Sequence, residues 1–93
     1  MAKKTQGASS EEAPQRMEPL KIFRIDDVSA SVFTRRHEVS GEMKTFYSVS
    51  FSRSYRDSDG KRRYVKTFNL DDLGKVITVA QQADEYIRSL MDE

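Results

Sequence analysis

The sequence predicts an α+β domain: a four-stranded antiparallel β-meander followed by one C-terminal amphipathic helix, preceded by a disordered N-terminal tail. Three observations predict it. From Leu20 to Leu70 apolar and polar residues alternate, the period of a half-buried strand. From Leu73 onward apolar residues recur at three and four positions, the period of a helix. Between the alternating runs stand Ser40-Gly41-Glu42 and Asp57-Ser58-Asp59-Gly60, both turn sequences.

Residues 1–18 are rich in Gly, Ser, Gln, Glu and Pro and carry few apolar side chains, too few to offset the entropy of ordering them. They read as the tail, and residues 19–93 as the domain. Leu20–Ile25 suits a short first strand, which Asp26 and Asp27 interrupt. Val28, Ala30 and Val32 then alternate with Ser29, Ser31 and Phe33 in a second strand running on toward Val39. In the third strand Tyr47, Val49 and Phe51 point one way, and Ser48, Ser50, Ser52 and Ser54 the other. The fourth is expected over Arg62–Leu70, with Tyr64, Lys66 and Phe68 on one side and Arg63, Val65 and Thr67 on the other. Two charged residues, Arg53 and Lys66, thus fall on apolar faces. Either they lie near strand ends where long stems reach water, or a bulge re-registers the strand.

The helix is expected to begin near Asp71, with Asn69 or Asp71 as cap and Asp72 suiting the positive end of the dipole. Leu73, Val76, Ile77, Ala80, Ala83, Ile87 and Leu90 form its apolar stripe. Val79 and Tyr86 widen that stripe beyond what one small sheet needs. A chain of this length builds a thin core, and pairing buries apolar surface that one copy leaves exposed. An antiparallel homodimer is therefore expected, paired through the helices or an edge strand, with Val79 and Tyr86 as the contact unless they serve to cover the sheet edge.

Charge is sorted along the chain. Residues 20–70 carry eleven Lys/Arg against six Asp/Glu, whereas residues 71–93 carry two against six. The formal net charge of +1 hides a basic β-region joined to an acidic helix, an arrangement suited to offering a sheet to a polyanion. Absence of cysteine excludes disulfides, thiolate metal sites and a cysteine nucleophile, and fits a reducing cytoplasm. No stretch is apolar for long enough to span a bilayer as a helix, so a cytoplasmic location is expected. His37 stands alone, and Asp57-x-Asp59-Gly60 lacks the remaining ligands of a calcium loop, so no metal is expected. No nucleophile–base pairing, phosphate loop or dinucleotide motif occurs. The chain reads as a non-catalytic protein without a cofactor.

Within Arg53–Lys66 six basic residues and two tyrosines stand against only two acids. Phosphates need a track of positive charge, and unpaired bases need flat faces to stack on. Arg35, Arg36, Arg53, Arg56, Lys61, Arg62, Arg63 and Lys66 are the candidates for phosphate. Phe33, Phe46, Tyr55 and Tyr64 are the candidates for stacking, while Tyr47 and Phe51 belong to the core. Ser29, Ser31 and the serines of the third strand, with Thr67 on the far side, would give this face a small, hydroxyl-rich floor. The competing reading is a solvated outer face, the common condition of an antiparallel sheet packed on one side.

Ser54-Tyr55-Arg56-Asp57-Ser58-Asp59-Gly60-Lys61, then Lys66-Thr67-Phe68-Asn69-Leu70 and the helix after it, resemble the single-stranded-DNA-binding transcriptional coactivators of the positive-cofactor-four type, and more distantly the plant Whirly proteins. The resemblance spans roughly Ser52 to Leu90. It implies a homodimer whose strands hold single-stranded DNA and whose helices pair the subunits. The chain departs from that pattern in lacking the family's helical tryptophan, with Leu73 near its place. The Arg-Ser-Tyr-x-Asp-x-Asp-Gly-Lys core is similar also to short uncharacterised bacterial proteins. The function expected is binding of single-stranded nucleic acid, DNA before RNA. The alternative is a protein–protein interaction module that uses the open sheet face or a strand edge.

Overall fold

The computed structural model describes residues 18–92; the tail expected over residues 1–18 lies almost wholly outside them. Strands β1 (Lys21–Ile25), β2 (Val28–Val39), β3 (Glu42–Arg56) and β4 (Arg62–Val65) form one antiparallel sheet in the order β1-β2-β3-β4. A single 3-10 turn, Leu70–Asp72, leads into helix α1 (Leu73–Met91), which packs on one face of the sheet. The expected meander and C-terminal helix are both present. No helix among the described residues is long and apolar enough to cross a membrane.

The turns set the register. Ser40 and Gly41 both have positive φ, 53° and 84°, the requirement of the two-residue hairpin turn whose twist matches its flanking strands. Ile25 faces Val28 across a second two-residue turn, in which Asp26 takes a φ of 54°, a conformation Asp tolerates better than most residues. At the third turn Asp57 organises the loop with its own carboxylate. Its Oδ1 accepts the Asp59 and Lys61 amides at 2.9 and 3.0 Å, and its Oδ2 accepts Arg63 Nε at 2.7 Å. The bond from Arg63, followed by the Lys61 amide, holds the Asp57 carboxyl below its ordinary range.

Opposed residues share a face. Val28, Ala30 and Val32 of β2 stand opposite Arg53, Phe51 and Val49 of β3, with Ile25, Phe23 and Lys21 of β1 on their other side. This face meets the helix. Val28, Ala30, Val32, Val79 and Ala83 form the fully buried core, and Phe23, Ile25, Val49, Phe51, Phe68, Val76, Tyr86 and Ile87 pack around it.

Three expectations are corrected. β4 stops at Val65, not Leu70, because the chain must leave the sheet plane to reach the helix, carrying Phe68 into the core on the way. Val65 stands opposite Arg53 on the helix side, which sends Tyr64 and Lys66 to the other face; Thr67 meanwhile presents its carbonyl to Arg53 at 3.1 Å. The helix also sits rotated from its expected stripe. Val79 has no exposed surface, and the Tyr86 ring meets Phe23 edge-to-face at 5.8 Å. The sheet of the same chain thus covers Val79 completely, while Tyr86 is half-buried. Ile77 and Leu73, expected in the core, are 60% and 46% exposed.

Candidate nucleic-acid interface

The face turned away from the helix is built by the same register. Ser29 stands opposite Ser52, Ser31 opposite Ser50, Phe33 opposite Ser48, and Arg35 opposite Phe46. Ser54 stands opposite Tyr64, and Arg56 opposite Arg62. Six serines thus form a floor with no side chain larger than a hydroxymethyl group, so a backbone or a flat ring can approach the sheet closely. Ser29 Oγ and Ser52 Oγ are bonded across the strands at 3.0 Å.

Of the residues expected to bind nucleic acid, seven lie on this face: Phe33, Arg35, Phe46, Arg56, Arg62, Tyr64 and Lys66. Arg62 Nη1 donates to Ser54 Oγ at 3.0 Å, and Lys66 Nζ to Ser50 Oγ at 2.7 Å. These bonds lay two cations over the serine floor and leave their remaining donors for an anion. Arg56 Nη1 donates to the Gly60 carbonyl at 2.7 Å and steadies the hairpin end. Tyr64 is 64% and Phe46 44% exposed, flat surfaces with no covering layer.

Four others point to the helix side. Arg53 lies within 3.4 Å of Asp72 and donates to Thr67, so it ties β3 to the helix start. Arg63 is held by Asp57 in the hairpin. Arg36 and Tyr55 stand opposite Thr45 and Arg63 on the same side. Lys61 occupies the β3–β4 loop.

Sequence reading missed Arg24, which stands opposite Ser29 on the open face. The signal was available in the Asp26-Asp27 pair. A two-residue turn there fixes Ile25 against Val28, and period two then sends Arg24 to the serine side. Ile22 and His37 join the face by the same rule, with the His37 ring against Phe46 at 6.0 Å. The helix end of the molecule is acidic, and Lys75 draws Asp26, Asp27 and Asp72 together at 3.3, 3.6 and 3.9 Å. Those carboxylates hold the Lys75 ammonium above its ordinary range, the Asp26 bond being the largest cause. No group of three or more His, Asp or Glu side chains among the described residues is placed to hold a metal ion.

The chemistry such a face offers is binding. Guanidinium groups present paired donors to phosphate oxygens, exposed rings accept stacked bases, and the floor between them is small and polar. No family model, characterised protein or solved structure matches the chain.

Proposed function

We propose that the open face of the sheet binds single-stranded nucleic acid, DNA before RNA, without catalysis and in the cytosol. The observation that supports it is the coincidence on one face of a six-serine floor, the exposed rings of Phe46 and Tyr64 with the half-buried Phe33, and the cations Arg24, Arg35, Arg56, Arg62 and Lys66. A face that was merely solvated would have no need of rings standing over hydroxyls. Stacking on such rings contributes about 1–3 kcal/mol per base and tolerates any sequence. The resemblance to the positive-cofactor-four coactivators agrees with this reading.

Fluorescence anisotropy with a labelled single-stranded oligonucleotide tests it. If four of the cations meet phosphates, log K against log salt has a slope of about −3, since each neutralised phosphate releases counterion. Reversing Arg62 and Lys66 to Glu together lowers affinity at least tenfold, while Arg63→Glu disturbs the hairpin through Asp57 instead. Absence of binding at low salt would end the proposal.

A second reading, the protein-interaction module, is favoured by one specific observation. β4 pairs only with Arg53–Arg56, so no strand among the described residues pairs with the outer edge of β3 from Glu42 to Ser52. An open edge of that length is a template for another chain. We infer that a second copy occupies it, and this replaces the helix contact expected from sequence. In a two-fold antiparallel register centred on Tyr47, Met43 meets the partner's Phe51 and Thr45 meets the partner's Val49 on the helix side. Lys44 meets the partner's Ser50 on the other side, with no like charges opposed. The uncovered Leu73 and Ile77 border the same side of the sheet. Sedimentation equilibrium should return twice the 10.7 kDa of one chain, and Tyr47→Lys should return one copy. A wild-type mass near one chain at high micromolar concentration defeats the pairing and leaves the nucleic-acid reading intact.

A further inference from the structure

At the turn end of the open face a trough of about 330 Å³ crosses the sheet, within the size range that accepts a small ligand or one unit of a polymer. Arg24 from β1 forms one wall, and Arg62 and Tyr64 from β4 form the other; Ser29 and Ser54 lie between them. Walls on the two edge strands of a four-stranded sheet are about 14 Å apart, three strand spacings. Its chemistry departs from the rest of the face, because Asp26 and Asp27 also line it. A phosphate track gains nothing from carboxylates, which repel the chain it is meant to hold. A group that carries N–H donors suits that end of the trough better than a phosphate does.

The two acids are fixed in place. Lys75 Nζ lies 3.3 Å from Asp26 Oδ2 and 3.6 Å from Asp27 Oδ1, so the β1–β2 turn is pinned to the first turn of the helix. Asp27 Oδ1 is buried against Lys75, yet the Asp26 and Asp27 side chains remain 72% and 41% exposed, so each keeps carboxylate surface open to a donor. An ionised carboxylate is an acceptor only. Among nucleobases, cytosine offers its N4 amino group, adenine its N6 amino group and guanine the donors of its N1/N2 edge, whereas the single N3–H of thymine and uracil lies between two carbonyl oxygens that a carboxylate repels.

Resting on the nucleic-acid reading above, we propose that this trough is a base-reading subsite that accepts a base with an exocyclic amino group and rejects thymine and uracil. Tyr64 supplies the stacking surface, Asp26 and Asp27 accept from the amino edge, and Arg24 and Arg62 take the flanking phosphates. The sheet as a whole stays tolerant of sequence, and this one end discriminates.

The test compares pyrimidines of equal size, so that stacking area does not decide the result. Labelled dC12, dT12 and dU12 are titrated by anisotropy against the full chain and against Asp27→Asn and Asp26→Asn. The full chain is expected to bind dC12 about tenfold more tightly than dT12 or dU12, the discrimination of one good carboxylate–amino contact. Asp27→Asn, whose amide both donates and accepts, brings the ratio to within about twofold, as judged against a thermal melt that shows the variant folded. Should that variant fail to fold, Asp26→Asn carries the comparison with the same expectation. Equal affinity of the full chain for the three oligomers overturns the subsite and leaves general nucleic-acid binding standing. No binding to any of them overturns the subsite together with the proposal on which it rests.

Discussion

Val79→Ala is expected to lower the melting temperature by on the order of 10 °C, without changing the mass of the protein in solution. Val79 has no exposed surface and packs in a core of only five fully buried apolar residues. Removing two carbons there forfeits their transfer free energy and leaves a cavity, together about 2 kcal/mol. In a domain of this size each kcal/mol moves the midpoint by about 4–8 °C. The same substitution at an exposed contact between copies would do the reverse, changing the mass and sparing the fold. A melt within about 2 °C of the parent, by circular dichroism, would show that the helix does not seat on the sheet through Val79.

Val79 also shows where sequence was legible and where it was not. A helical period marks a residue as belonging to an apolar row, yet two adjacent rows here are both apolar. The row of Leu73 and Ile77 and the row of Val79 and Tyr86 each satisfy it, and only the shape of the sheet chooses between them. Phe23 on β1 makes that choice by receiving Tyr86, and nothing local to the helix announces it. The strands were easier. Tyr47, Val49 and Phe51 alternate with serines, and period two leaves no freedom once one face is buried. Arg53 was correctly placed on the apolar side, but its partner Asp72 is nineteen residues away, beyond the reach of any local pattern. On the candidate interface the serine floor and its flanking Phe33, Arg35, Phe46 and Arg56 were legible from alternation, whereas alternation sent Tyr64 and Lys66 to the wrong face. Arg36, Arg53, Tyr55 and Arg63 were grouped with them by composition, which counts charge and rings without regard to face.

Asp72→Ala is the second large effect. Its residue is 6% exposed, and its Oδ2 accepts the Asn69 amide at 3.0 Å while lying 3.4 Å from Arg53 Nε. Truncation strips the helix start of an acceptor and leaves a largely covered guanidinium without its carboxylate. Breaking one side of a fully buried ion pair costs about 3–5 kcal/mol. Arg53 keeps its bond to the Thr67 carbonyl, so a loss of about 2–3 kcal/mol is expected by urea unfolding. Asp72→Asn keeps an oxygen for the Asn69 amide and should lose roughly half as much. Replacing both members, Arg53→Met with Asp72→Leu, should recover part of the loss, because the uncompensated charge is then gone. A loss below about 1 kcal/mol for Asp72→Ala would identify the pair as an ordinary solvated contact.

Each strand of this sheet pairs with the strand next to it in sequence, across turns of two, two and five residues. The chain therefore never has to close a long loop before its backbone bonds begin to form, and the entropy lost at each step is small. Pairing of β2 with β3 around Ser40-Gly41 can precede everything else, because it needs no other part of the molecule. The helix arrives last in sequence and covers a surface that is already assembled. Assembly along this route is quick by topology, and it delivers a folded chain whose β3 edge is still bare from Glu42 to Ser52.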